Sequence, residues 1–168
     1  KGHIKEGEDM NKLFSFEKRT KQPPENHMNT LISFGNSLLY STTLTELYKT
    51  ALDPRIGFLH STNFRKFSLN LDIAEIFKPV IVDRTIFSLI NRDQLSEKHF
   101  RGVEGGIHLN EEGRKIFVIE YEKHLNQTIK HEQLKRNVSF RTLIRHEAYK
   151  IIKAILGMKP YKPFYYPW

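Results

Sequence analysis

The sequence contains no cysteine. That single absence excludes a disulfide framework, a thiolate zinc site and a cysteine nucleophile. No apolar run approaches the ~18 residues that would span a bilayer, and no signal peptide is expected. A cytoplasmic protein without a membrane partner is the expectation. The phosphate-cradling GxxxxGK[ST] pattern is missing, as are a GxGxxG at a strand–helix junction and a GxSxG elbow, so a nucleotide cradle is unsupported. His131-Glu132 and His146-Glu147 begin like the HExxH zinc motif, but Lys135 and Lys150 stand where the second histidine belongs.

Acidic residues are scarce at one end. Residues 130–168 carry 9 basic and 2 acidic side chains, whereas residues 1–129 carry 18 and 17. A basic last quarter on a mixed body favours a polyanionic partner, nucleic acid before anionic membrane, against the plain alternative of a solvated basic surface. The 168 residues are 39% hydrophobic and 12% aromatic, enough for one domain that buries roughly 70% of its unfolded surface. The chain begins at Lys1 rather than Met, and the expectation is a fragment or processed product.

Residues 1–25 are polar and punctuated, with Pro23-Pro24 opposing helix; they read as a leading segment or linker. Helical spacing of Met28, Leu31, Ile32, Gly35, Leu38, Leu39 and Thr42 predicts a helix over about 26–51, capped by Asn26, with Gly35 admitting a close neighbour and Asp53-Pro54 ending it. Ile56 to His60 is a short apolar run, and Ser61 to Lys66 a polar loop. Ser68 caps a helix to about Phe77. Pro79 kinks it or opens another over about 80–91. Residues 92–110 form a loop, with a small hairpin possible and Gly102–Gly106 as a turn. Further helices span Glu111 to about Gln127 and, capped by Ser139, the stripe Phe140, Leu143, Ile144, Ala148, Ile151, Ile152 and Ile155, stopped by Gly157. The tail 159–168 holds five aromatic residues among three prolines and cannot be a regular helix. The class is mainly α, a packed multi-helix domain over 26–158 with an aromatic and proline-rich tail.

One group of side chains could carry chemistry. His60 ends an apolar segment, and Asp72 and Glu75 follow three residues apart, on one face of a helix. Carboxylate oxygens with one imidazole suit Mn²⁺ or Mg²⁺, ions that polarise a phosphodiester and activate a hydroxyl. The ordinary reading is a histidine satisfied in the core and two solvated acids paired with Arg65 or Lys66. Both stand open at this level.

Four ordered blocks carry a resemblance: Phe16 to Pro24 with Asn26 and Asn29 to Tyr40; Leu52 to His60; Ser68 to Pro79 with Val82-Asp83-Arg84; and Leu109 to Gly113, followed by Lys159 to Phe164. Together they resemble the CRISPR-associated integrase family, protein one of the spacer-acquisition machinery. The tail is similar to the type I-B branch. The resemblance implies the helical catalytic domain of that family, without its N-terminal β domain. It implies a divalent metal held by His60, by Glu75, and with Asp72 as neighbour or alternate ligand. The family's first metal-binding glutamate finds no match and is expected just upstream of Lys1. Implied also are double-stranded DNA as substrate, transesterification by a prespacer 3′-hydroxyl, and contacts from Arg19, Lys21, Arg65, Lys66 and Tyr40. A homodimer bridged by a small ferredoxin-like subunit, CRISPR-associated protein two, completes the picture, and little nuclease activity is expected of this chain alone. The alternatives are a non-catalytic basic module binding nucleic acid or a partner protein through Arg141, Arg145, Lys150 and Lys153, and a metal hydrolase acting on a small phosphate ester.

Overall fold

The computed structural model describes residues 13–14, 26–55, 68–131 and 135–166. Its helices are α1 (His27–Leu47), α2 (Ser68–Phe77), α3 (Arg84–Asn91), α4 (Glu111–Asn126) and α5 (Phe140–Ile155). Two short antiparallel hairpins accompany them. In the first, β1 (Phe100–Val103) pairs with β2 (Gly106–Leu109), Phe100 opposite Leu109. In the second, β3 (Thr128–His131) pairs with β4 (Arg136–Ser139), Thr128 opposite Ser139. The expected mainly α class is what is observed.

Helix α1 is the axis of the domain. Asn26 Oδ1 accepts the Asn29 N–H at 2.8 Å, the expected cap. Leu31, Gly35, Leu39, Thr43 and Leu47 recur along a buried face, against which α2, α5, β2 and the α2–α3 junction pack. Gly35 makes this packing possible. A Cβ there would lie 2.6 Å from Val82 Cγ1 and 3.0 Å from Phe117 Cζ. The helix ends at Leu47, four residues before the expected limit. The Thr50 hydroxyl donates to the Leu47 carbonyl at 2.8 Å, and such local side-chain bonds compete with helix continuation.

Ser68 is the first residue of α2, and its hydroxyl donates to the Arg55 carbonyl at 3.3 Å. Pro79 neither stops nor sharply separates the helices. It stands in a π-helical turn, Lys78–Asp83, through which α2 runs into α3. Proline has no N–H for the carbonyl four residues back; the wider i→i+5 turn accommodates that loss while burying Val80, Ile81 and Val82.

The loop before α4 does contain a hairpin, with Gly105 at φ 86° in its turn. The β3–β4 hairpin is not anticipated by the sequence, because its strands are four residues each and mostly polar. Helix α5 starts as expected, with Ser139 Oγ accepting the Thr142 N–H at 3.2 Å, and stops at Gly157, φ 69°. There the Met158 N–H reaches the Lys153 carbonyl at 2.9 Å, a left-handed glycine closure. The predicted stripe is too long by one turn: Ile155 is 67% exposed among the described residues.

The tail is irregular, as expected, and packs on the core. Phe164 stacks on Phe77 with centroids 5.5 Å apart and planes 9° apart, and meets Phe140 edge-on. The Arg84 guanidinium lies 4.4 Å over the Tyr166 ring. Among the described residues no helix is long and apolar enough to cross a membrane.

Candidate functional site

Asp72 and Glu75 share α2 but not an environment. Three residues along an α-helix leave a ~60° angular offset, and here that offset spans the rim of the core. Asp72 is buried, 5% exposed. The Glu75 side chain is 56% exposed. Its Oε1 accepts a hydrogen bond from Lys78 Nζ at 2.5 Å, and the same ammonium stands 5.1 Å from the centroid of the Tyr40 ring on α1. The structure thus brings Tyr40, Lys78 and Glu75 together at one edge of α2. Burial works against the Lys78 charge, but Glu75 and Tyr40 together outweigh it and hold the ammonium above its ordinary pKa. Asp83, one helical stretch further on, is shifted upward by burial, with Lys78 opposing.

Asp72 faces another group. Tyr161 in the tail donates from its hydroxyl to Glu147 Oε2 at 2.8 Å, and Glu147 is 1% exposed. Burial raises the Tyr161 phenol far above its ordinary pKa, and the charges of Glu147 and Asp72 add to the effect. Lys150 pairs with the other Glu147 oxygen and also donates to the Lys162 carbonyl at 3.1 Å. The tail is therefore joined to α5 beside the buried acid of α2.

His60, Arg19, Lys21, Arg65 and Lys66 lie outside the described residues. Among the described residues no three His, Cys, Asp or Glu side chains cluster as a metal site. The α2 acids offer hard oxygen donors of the kind Mn²⁺ or Mg²⁺ takes, so the donor chemistry fits such an ion, with the remaining donor to come from outside this set.

The sequence reasoning missed three buried carboxylates. Glu46 is fully buried and binds Lys49 at 2.6 Å and Arg145 at 2.6 Å. Burial alone would raise its pKa; the bonds from Lys49 and Arg145 prevail and lower it. Glu120 accepts from Ser88 at 2.6 Å and Lys123 at 3.0 Å, with the same outcome against burial. Glu147 is the third. Each falls on the apolar stripe of its helix, between positions such as Thr43 and Leu47 or Ile144 and Ala148, and that placement was the available signal.

Two of these acids, together with Glu122, engage the basic face proposed for the non-catalytic module. Arg141 is bound to Glu122 at 2.8 Å, Arg145 to Glu46, and Lys150 to Glu147. Of that set Lys153 is exposed.

Comparison with known proteins follows the same outline. A family model described as CRISPR associated protein Cas1 matches residues 7–123. A CRISPR-associated endonuclease Cas1 of Thermodesulfovibrio yellowstonii is 54% identical over 158 residues, 94% of this chain and 48% of the relative. The chain thus spans about half the length of the curated relatives it matches. A solved Cas1 protein from Thermotoga maritima superposes with a TM-score of 0.83 at 50% identity, covering 92% of this chain and 48% of the other. Two more distant structures share the fold: a casposase bound to integration product (TM-score 0.80, 24% identity, 89% and 43% covered) and a Cas6-RT-Cas1–Cas2 complex (TM-score 0.75, 23% identity, 88% and 16% covered).

Proposed function

This chain belongs to the CRISPR-associated protein Cas1 family, and from that premise we propose that it carries the helical catalytic region, residues 26–158, of a metal-dependent DNA endonuclease and spacer integrase. The supporting observation is the 54% identity to a Cas1 endonuclease across 94% of the chain. The α2 register supplies the local chemistry, placing Asp72 and Glu75 at the edge of the core.

In this reading His60 and Glu75 hold Mn²⁺ or Mg²⁺, with Asp72 as neighbour or alternate ligand. When bound, the ion supplies Lewis-acid polarisation of a scissile phosphodiester and lowers the pKa of an attacking hydroxyl. The side chains do the rest. Tyr40 and Lys78 flank the acid that faces solvent, and Arg19, Lys21, Arg65 and Lys66 neutralise the DNA backbone, a contact that positions the duplex without reading its sequence. In the transfer step one P–O bond forms to the 3′-oxygen of the incoming strand as another breaks in the target; the attacking hydroxyl gives its proton to solvent, and the leaving oxygen takes one from solvent to depart as a hydroxyl.

We assign double-stranded DNA as substrate, a cytoplasmic setting, and assembly as a homodimer with a Cas2-type subunit. Low nuclease activity is proposed for the 168-residue chain alone, because no residue in it matches the family's first metal-binding glutamate. The relatives' names distinguish no branch, so the type I-B likeness rests on Lys159 to Phe164. The non-catalytic reading is weakened by the engagement of Arg141, Arg145 and Lys150.

The test is strand transfer of a 3′-hydroxyl duplex into a supercoiled plasmid with Mn²⁺, using the longer protein. Loss of transfer in His60→Ala and Glu75→Gln, with DNA binding retained, is expected. Undiminished transfer in either variant rejects the assignment.

A further inference from the structure

The tail returns antiparallel along α5. Tyr161 donates to Glu147, Lys150 donates to the Lys162 carbonyl, and Phe164 meets Phe140 at the start of the helix. Glu147 is 1% exposed and paired with Lys150, so the phenol is set against a fixed point on α5. The same segment touches α2 at two places. Phe164 stacks on Phe77, the last residue of α2, and the Tyr161 phenol lies within electrostatic reach of Asp72. Asp72 and Phe77 are five residues apart, or ~140° around the helix axis. Contacts separated by such an arc resist rolling of α2 in either sense, which a single contact does not.

Glu75 lies outside that arc, ~60° from Asp72 and ~160° from Phe77. Its side chain is 56% exposed, whereas Asp72 is 5% and Phe77 0% exposed. Helix α2 has ten residues. A helix that short is marginal on its own hydrogen bonds, and tertiary packing holds it. What grips its buried side therefore also decides where its solvent-facing acid points.

We propose that the tail is a positioning element of the metal site: Tyr161 and Phe164 set the rotation of α2 and thereby aim the Glu75 carboxylate. The proposal rests on the assignment of Glu75 as a metal-binding acid. Tyr161 and Phe164 touch neither ion nor DNA in it; they act through the helix, as groups behind a metal ligand orient that ligand.

The test is Mn²⁺ titration of the longer protein, followed by electron paramagnetic resonance at a temperature where every variant is folded, with urea midpoints measured alongside. Tyr161→Phe removes the hydroxyl alone, and Phe164→Ala removes the stack. Each is expected to weaken Mn²⁺ binding, and the two together by about tenfold, the scale on which groups behind a metal ligand act. Phe164→Tyr keeps the ring and retains the original affinity. Ser88→Ala breaks the bond to Glu120 between α3 and α4, away from α2 and the tail; it lowers the urea midpoint and leaves Mn²⁺ affinity unchanged.

Tail variants whose urea midpoints fall while Mn²⁺ affinity holds overturn the proposal, because the tail is then structural alone. Tighter binding overturns it as well, since the tail would then be withholding an acid from the ion. An equal loss of affinity in Ser88→Ala does the same, because destabilisation anywhere would then suffice. The metal assignment has its own arm. If His60→Ala and Glu75→Gln leave Mn²⁺ binding intact, that assignment fails and the proposal with it; loss in these two with no change in the tail variants rejects the proposal alone.

Discussion

Lys78 Nζ donates to Glu75 Oε1 at 2.5 Å while standing over the ring of Tyr40. One ammonium thereby ties the solvent-facing acid of α2 to α1. A carboxylate so engaged is in competition for its oxygen with any divalent cation.

Lys78→Ala is expected to tighten Mn²⁺ binding. An exposed ion pair is worth up to about 1 kcal/mol, equivalent to about fivefold in affinity. Titration of Mn²⁺ against the longer protein, followed by electron paramagnetic resonance, checks this. Weaker binding in the variant would show that Lys78 holds Glu75 in a productive position instead of competing for it.

Gly35→Ala is expected to destabilise the domain. Alanine gains about 1 kcal/mol of helix propensity, but its methyl would meet Val82 and Phe117 at 2.6 and 3.0 Å. Overpacking of this kind costs about 1–3 kcal/mol, so the net loss is up to about 2 kcal/mol. Urea denaturation measures it, and partial recovery on adding Val82→Ala identifies the clash as the cause.

Arg145→Ala is expected to lower stability by about 2 kcal/mol, because it leaves the buried Glu46 with Lys49 as its remaining cation. DNA affinity and its salt slope should be unchanged, since this guanidinium is committed to Glu46. A fall in the salt slope would restore Arg145 to the nucleic-acid surface.

Acid should destabilise the fold in two stages. His27, His124 and His146 are lowered from 6.5, burial being the first cause in each. The unfolded chain therefore takes up protons first, and stability declines as pH falls from 6.5 through the lowered folded values. Glu46 and Glu120 are lowered from 4.5 by their partners against the effect of burial. Their contribution is full above 4.5 and is lost as pH falls through their folded values. Urea midpoints across this range measure both stages; a midpoint constant from about pH 7 to pH 5 contradicts the first.

The helices were legible because their signals are local and redundant. Asn26 and Ser139 cap where they were expected to, Gly157 closes α5, and Gly35 admits a neighbour. The buried acids were not, because a glutamate on an apolar stripe reads as an exception until its partner is known, and Arg145 lies 99 residues from Glu46. The same limit applies at α2. Spacing placed Asp72 and Glu75 on one face, whereas only packing against α5 and the tail separates the buried acid from the exposed one. The β3–β4 pair is held by cross-strand pairing, which composition does not encode.

The π-helical turn at Lys78–Asp83 fixes the phase between two rods. Removing one residue from it would allow ordinary α winding with α3 kept in phase, because the wider turn carries about one residue more than an α turn for the same rotation. The buried positions inside the turn would shift instead, and Val82 would leave its seat against Gly35. An added residue has no such slack to take up, so single-residue insertions in Lys78–Asp83 should be tolerated worse than a single deletion.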